Sequence, residues 1–143
     1  MIVVSNQLCL EMNKLIPAVV LALLAGNASA SADNWTYVEH TNTAALWVQK
    51  DSIWRSGSNV KMWSMHDYAE PLTSPNSPPA LSTVILFEYD CSDRRSRMLQ
   101  ITAYEDSKGK GQIAFRIDRP AAWTYVEPAG LIKTSWDIAC KKF

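Results

Sequence analysis

Apolar and polar residues alternate along most of this chain in short runs rich in β-branched and aromatic side chains. This period-two pattern predicts strands half-buried in a sheet. The runs are Trp35–His40, Ala45–Gln49, Asn59–Ala69, Ala80–Asp90, Ser96–Glu105 and Gln112–Asp118. In the fourth, Leu81, Thr83, Ile85, Phe87, Tyr89 and Cys91 form the more continuously apolar face, opposite Ser82, Val84, Leu86, Glu88 and Asp90. In the sixth, Ile113, Phe115 and Ile117 alternate with polar neighbours, as in an antiparallel strand with one wet face. Ser56-Gly57-Ser58 and the stretch from Asp106 to Gly111 punctuate the runs, the latter as a hairpin loop. Glu70 to Pro79 holds four prolines among Ser, Thr and Asn and predicts an exposed connection.

The period changes in the tail. Leu131, Ile132, Ser135, Ala139 and Cys140, with Ile138 beside them, recur at helical spacing. Pro128 suits the first turn of a helix, where its missing N–H costs nothing. Lys141 and Lys142 suit the negative end of the dipole. About twelve helical residues would span about 18 Å and cover about four strands. The pattern therefore predicts an α+β domain: an antiparallel sheet of about six strands with a C-terminal helix packed on one face.

The leader has another pattern. Met12-Asn13-Lys14 precedes an apolar run from Leu15 to Ala25, and small residues then offer cleavage after Ala30 or Ala32. This is the layout of an export signal over residues 1–32. The apolar run is about half the length a membrane span needs. Glu11 and the apolar residues before it make a poor basic head, which places the start of translation at Met12 and removes Cys9. Leu24-Ala25-Gly26 mimics a lipobox, but Asn27 has no sulfur to take a lipid, so no lipid anchor is expected. The exported part, residues 33–143, is then a single domain, soluble in the periplasm or secreted.

That part is the size of one ordinary domain. Charge is balanced at 14 basic and 14 acidic residues over the whole chain, and the leader removes one of each, Lys14 and Glu11. No bulk field draws in nucleic acid or anionic membrane. All six tryptophans follow the leader, as in a well-packed small core or an aromatic binding face. Cys91 and Cys140 remain, an even pair in an exported domain, and predict one disulfide. Two free thiols or a metal site are the alternatives, but two cysteines with no histidine nearby leave zinc short of ligands. The bond would staple the helix onto the apolar sheet face. Trp35-Thr36-Tyr37-Val38-Glu39 recurs as Trp123-Thr124-Tyr125-Val126-Glu127, but nothing beyond the five residues repeats, so no duplication follows.

A larger pattern joins these pieces. Leu46-Trp47-Val48-Gln49-Lys50-Asp51-Ser52-Ile53 leads into Val60-Lys61-Met62-Trp63-Ser64-Met65-His66-Asp67-Tyr68. Glu88-Tyr89-Asp90-Cys91, Arg94, Arg97, Tyr104, Gly109, Gly111, Trp123, Val126, Pro128 and Cys140 follow. This order resembles the surface-adhesin protein E family of bacterial envelope proteins over nearly the whole exported part. The resemblance implies an antiparallel sheet of about six strands with a disulfide-tied C-terminal helix. It also implies a lipid-anchored surface protein that binds host matrix proteins, plasminogen and haem, and that can dimerise. The chain departs from the family at Asn27 and at Ala129-Gly130, where members often carry Gly-Ser. The matching positions are strand aromatics, turn glycines and the cysteine pair, which define a fold rather than a site.

Three groups are candidates for chemistry. His40 and His66 lack a nucleophile elbow or a metal-ligand cluster, and Asp67 next to His66 points to the opposite strand face. Catalysis and metal binding are not expected. Haem ligation by His40, His66 or Tyr68 follows only from the family, against the competing reading of surface histidines. Arg94, Arg95 and Arg97, with Lys108 and Lys110 in the next loop, form two small basic patches that suit carboxylates of a protein or sulfates of a glycan. Asp90, Asp93, Glu105 and Asp106 could instead neutralise them. In the third run Val60, Met62 and Tyr68 share one face and Trp63 and Met65 the other. Whichever face the helix leaves open is a contact surface for a partner or a second copy, unless loops pack on it.

These readings converge on a non-enzymatic, exported binding module with a protein or glycan partner, able to form a homodimer, with no cofactor beyond the haem the family implies. The alternative is a periplasmic structural or envelope-maintenance protein with no host ligand.

Overall fold

The computed structural model describes residues 34–141; the export signal, the start at Met12 and Asn27 lie outside them. The alternating runs become strands β1 (Thr36–His40), β2 (Ala44–Val48), β3 (Trp54–Ser56), β4 (Asn59–Ser74), β5 (Ser77–Asp90), β6 (Arg95–Tyr104), β7 (Ile113–Ile117) and β8 (Thr124–Tyr125). A helix, α1 (Leu131–Cys140), ends the described chain. All pairings are antiparallel, in the order β1-β2-β4-β5-β6-β7, with β3 added to β4 and β8 to β6. The sheet is thus six strands wide, one per run.

The Glu70–Pro79 connection is not a loop. β4 and β5 continue through it, with Leu72 opposite Ala80 and Ser74 opposite Ser77, and Asn76 turns the chain at φ 62°. Beyond Ala69 and Ser82 the two strands leave their outer neighbours and run on as a two-stranded ribbon. An N–H that faces no neighbour is not missed, so prolines are tolerated there.

One sheet face is roofed by α1. Leu46, Val48, Val60, Met62, Ile85, Phe87 and Tyr89 form the core with Ala139, and Val38, Leu131, Ile132, Trp136 and Ile138 pack against it. The inner face of β5 is the one its alternation marks as apolar. Ser135 and Ala139 are the buried helix residues; their small size lets the helix lie close to the sheet. The Ser135 hydroxyl donates to the Leu131 carbonyl at 2.9 Å, so its burial leaves that donor satisfied. The helix is shorter than its periodicity suggests and starts at Leu131 rather than Pro128. Gly130 takes φ 103°, ψ 174°, which no helix continues through, and its carbonyl accepts the Thr134 N–H at 3.1 Å.

The far end of α1 is fastened to the sheet. Cys140 is bonded to Cys91 at the end of β5, with Cα atoms 5.5 Å apart. Beside it the Trp136 indole donates to the Asp90 carbonyl at 3.2 Å. Arg55 on β3 donates to the carbonyls of Ala139 and Lys141, both at 2.7 Å, satisfying groups that a helix end leaves open.

The other sheet face is covered in part by the loop between β6 and β7. Ser82 accepts the Gly109 N–H at 2.8 Å and donates to the Asp106 carbonyl at 2.6 Å, while Asp67 accepts the Lys108 N–H at 2.8 Å. Gly109 sits at φ 67° against Met65 and Val84, and a Cβ there would stand 3.3 Å from the Val84 methyl. Glycine is therefore favoured there by both backbone and space.

Closure of the 49-residue separation by the disulfide contributes about 4 kcal/mol by loop entropy. Cys140→Ser is expected to lower urea-unfolding stability by about that amount. Non-reducing and reducing gels of the natural protein should differ in mobility.

Candidate functional site

The uncovered part of the outer face carries a row of side chains that adjacent strands place side by side. Trp54 on β3 pairs with Lys61 on β4, Lys61 with Glu88 on β5, and Glu88 with Arg97 on β6. Partners in register share a sheet face, so the four lie in one line. The Lys61 ammonium lies 5.2 Å from the centre of the Trp54 ring, and the Arg97 guanidinium 4.5 Å from that of Trp123, just before β8. Arg95 approaches the same Trp123 ring at 5.5 Å and Arg94 the Tyr125 ring at 5.6 Å. The result is a stripe reading aromatic, cation, carboxylate, cation, aromatic.

Most of its charge is paired. Arg97 grips Glu88 at 2.6 Å and Arg95 bridges Asp90 and Asp93 at 2.8 and 3.1 Å. Arg95, together with Ser92 and the backbone at Asp93, holds the Asp90 carboxyl well below its ordinary value. Asp90 and Asp93 thus neutralise Arg95 locally, whereas Glu105 and Asp106 form no ion pair with Lys108 or Lys110 among the described residues. Arg94 and Lys61 have no carboxylate partner among the described residues, and each reaches only an aromatic ring. Arg94 is set apart by its turn: at φ 51° its side chain leaves the β6 row and lies over exposed Tyr125.

The remaining candidates separate. Lys108 and Lys110 lie at the far end of β6 from the arginines, and the Lys108 ammonium stacks 5.5 Å from the Trp47 ring. Trp63 is half-buried, but Met65 is 2% exposed beneath the Gly109 loop. Met65 is therefore core and withdraws from the open contact surface that its strand face suggests. Tyr68 faces the helix side and its hydroxyl meets Thr83 Oγ1 at 3.0 Å. The three residues named for haem are not brought together. His40 is in register with Ala45, itself opposite Asp67, so it lies on the outer face, bonded to the Tyr37 hydroxyl at 2.8 Å. His66 and Tyr68 lie on the inner face.

His66 is packed between the rings of Tyr68 and Phe87, at 6.4 and 6.3 Å, and burial lowers its pKa from 6.5 to about 4. Its register partner, Thr83, is fully buried. Among the described residues no group of three or more His, Cys, Asp or Glu could hold a metal, and no helix is long and apolar enough to cross a membrane. Sequence reading missed Trp54, Lys61, Glu88 and Trp123 as members of one surface. They lie far apart in sequence, and only the strand register lines them up.

The molecule is thus a disulfide-fastened helix on an antiparallel sheet, with a charged aromatic stripe on the bare face. The chain belongs to the surface-adhesin protein E family, whose sequence profile matches residues 35–141. The fold is similar to that of Haemophilus influenzae protein E. Crystal form II of that protein aligns with a TM-score of 0.56 at 16% identity, covering 73% of this chain and 86% of that one. Another structure of it aligns at 0.54 and 15%, covering 73% and 83%, and the protein from a non-typeable strain at 0.52 and 15%, covering 73% and 74%. A comparison with curated proteins gives no match.

Two outcomes test the assignments above. Arg97→Ala strands the Glu88 carboxylate, whose side chain is 9% exposed, and is expected to cost about 2 kcal/mol of urea-unfolding stability. Arg94→Ala should change it by less than about 0.5 kcal/mol. For His66, the unfolded chain takes up a proton before the folded one as pH falls. Its contribution to stability is complete above 6.5 and is lost as pH drops towards 4, about 3 kcal/mol in all. Denaturation curves across that window should flatten in His66→Phe.

Proposed function

We propose that this chain is a non-enzymatic, exported binding module that engages a protein or glycan partner through the outer face of its sheet. The stripe from Trp54 to Trp123 carries the reading. Exposed aromatics and arginines are the side chains that dominate protein contacts, and Trp54 and Tyr125 are each 57% exposed. Arg94 and Lys61 are the cations with charge to spare for a carboxylate or sulfate. The family supports an adhesive role, in which host matrix proteins are the partners to test first. Asn27, in place of a lipid-bearing cysteine, favours a periplasmic or secreted protein over an anchored one. That observation keeps a second reading in view, an envelope-maintenance protein with no host ligand.

Immobilised matrix proteins and envelope extracts should retain the purified protein well above a Cys140→Ser control. The double variant Trp54→Ala/Arg94→Ala, which leaves the paired charges in place, should weaken retention at least about tenfold, or about 1.4 kcal/mol. Equal retention of variant and natural protein would remove the stripe from the function. Cell fractionation separates the two readings, since a strictly periplasmic protein meets no host matrix.

A further inference from the structure

The outer face holds a second feature beside the stripe. Between the loop around Gly109 and the residue before β1 lies a cleft of about 240 Å³, lined by Trp35, Trp63 and Tyr104 and by the polar side chains of Gln49 and Lys108. The three aromatics are half-buried. Both walls are held by hydrogen bonds. On one side the Ser52 hydroxyl donates to the Gln49 carbonyl at 2.6 Å and accepts the Trp63 N–H at 3.0 Å, and the Gln49 N–H donates to the Trp63 carbonyl at 3.0 Å. On the other, Ser82 and Asp67 hold the loop that carries Lys108. A site held this way needs little ordering when a ligand enters.

The Gln49 side-chain amide has no hydrogen-bond partner among the described residues. Covering it without a partner costs free energy, so an occupant of the cleft has to hydrogen-bond. No acidic residue lines the cleft, and the Lys108 ammonium has no carboxylate partner among the described residues. Asp67 takes the backbone N–H of Lys108 instead. The two larger cavities, of about 500 Å³ beside His66 and about 1370 Å³ between α1 and β1, are each lined by charges of both signs, Arg97 with Glu127 and Lys50 with Asp137, and single out no ligand.

We propose that the cleft binds one acidic pyranose unit of a glycan, an inference that rests on reading the outer face as a contact surface and names a partner class for it. The sugar hydroxyls bond the Gln49 amide, its C–H face lies on Trp35 and Trp63, and its carboxylate or sulfate pairs with Lys108. An apolar cavity of about 150 Å³ holds benzene, so about 240 Å³ is room for a six-membered ring with its hydroxyls. Sugar C–H bonds carry partial positive charge, which the negative face of an aromatic ring attracts. A hydroxyl both donates and accepts, as the amide requires. The single cation on the lining selects an acid over a neutral sugar.

The test titrates the purified, disulfide-intact protein calorimetrically with three hexasaccharides: hexa-N-acetylchitohexaose, which is neutral, a hyaluronan fragment, which carries carboxylates, and a heparin fragment, which adds sulfates. The expected result is saturable binding of an acidic fragment and binding of the neutral one at least about tenfold weaker. Lys108→Gln, at an exposed loop position, should weaken the acidic fragment about tenfold without affecting the neutral one. Trp35→Ala should weaken both, and Lys108→Gln decides the matter if Trp35→Ala does not fold. No binding of either acidic fragment, equal binding of all three, binding unchanged in Lys108→Gln, or a loss confined to Trp54→Ala/Arg94→Ala would overturn the proposal. Failure of the sugars while immobilised matrix proteins still retain the natural protein removes the cleft and leaves the outer-face reading standing; failure of both removes both.

Discussion

A single sheet has two faces and only one of them can be roofed by a single helix. That constraint, met by the bond between Cys91 and Cys140, organises the molecule. The disulfide joins the last turn of α1 to the end of the central strand β5, and Trp136 and Arg55 add hydrogen bonds within the same turn or just beyond it. Small residues at 135 and 139 then let the helix settle onto Val60, Met62, Phe87 and Tyr89. A domain of this size buries a limited core, so a covalent fastening replaces area it does not have. The first turn is held too, by the Thr134 hydroxyl donating to Glu39 on β1 at 2.6 Å and by Leu131 and Ile132 packing on the core.

The second face is handled without a second helix. One half is covered by a loop folded back on Ser82 and Asp67, which turns Met65 into core and half-buries Val84. The other half is kept in water by charge. Glu88 and Asp90 lie under arginines that are in turn stacked on Trp123, so an outward-facing row becomes a rigid, nearly neutral surface. Its pairing makes Arg95 and Arg97 structural first, and leaves Arg94 and Lys61 without a carboxylate partner among the described residues.

Membership in an adhesin family agrees with this division of labour. The positions that define the family here are the strand aromatics, the turn glycines and the cysteines, and these build the sheet, the loop and the fastening. At 15–16% identity the solved relatives share the fold.

The alternation of Ile85, Phe87 and Tyr89 against Glu88 and Asp90, the helical spacing of Leu131 to Cys140 and the lone cysteine pair were sufficient for the sheet, its apolar face, the helix and the staple. These are local periodicities, and local sequence carries them. The ribbon through Glu70–Pro79 was hidden because its prolines are harmless only where neighbouring strands have ended, a fact of sheet width. Gly130, not Pro128, decides the helix start through its backbone angle. Met65 changed from surface to core because a loop about forty residues later lies on it. The stripe and the cavity were decided by tertiary structure alone. Register brings Trp54, Lys61, Glu88 and Arg97 into one line, and the packing of α1 and the segment before it on the sheet leaves a cavity beside His66 that no spacing in the sequence records.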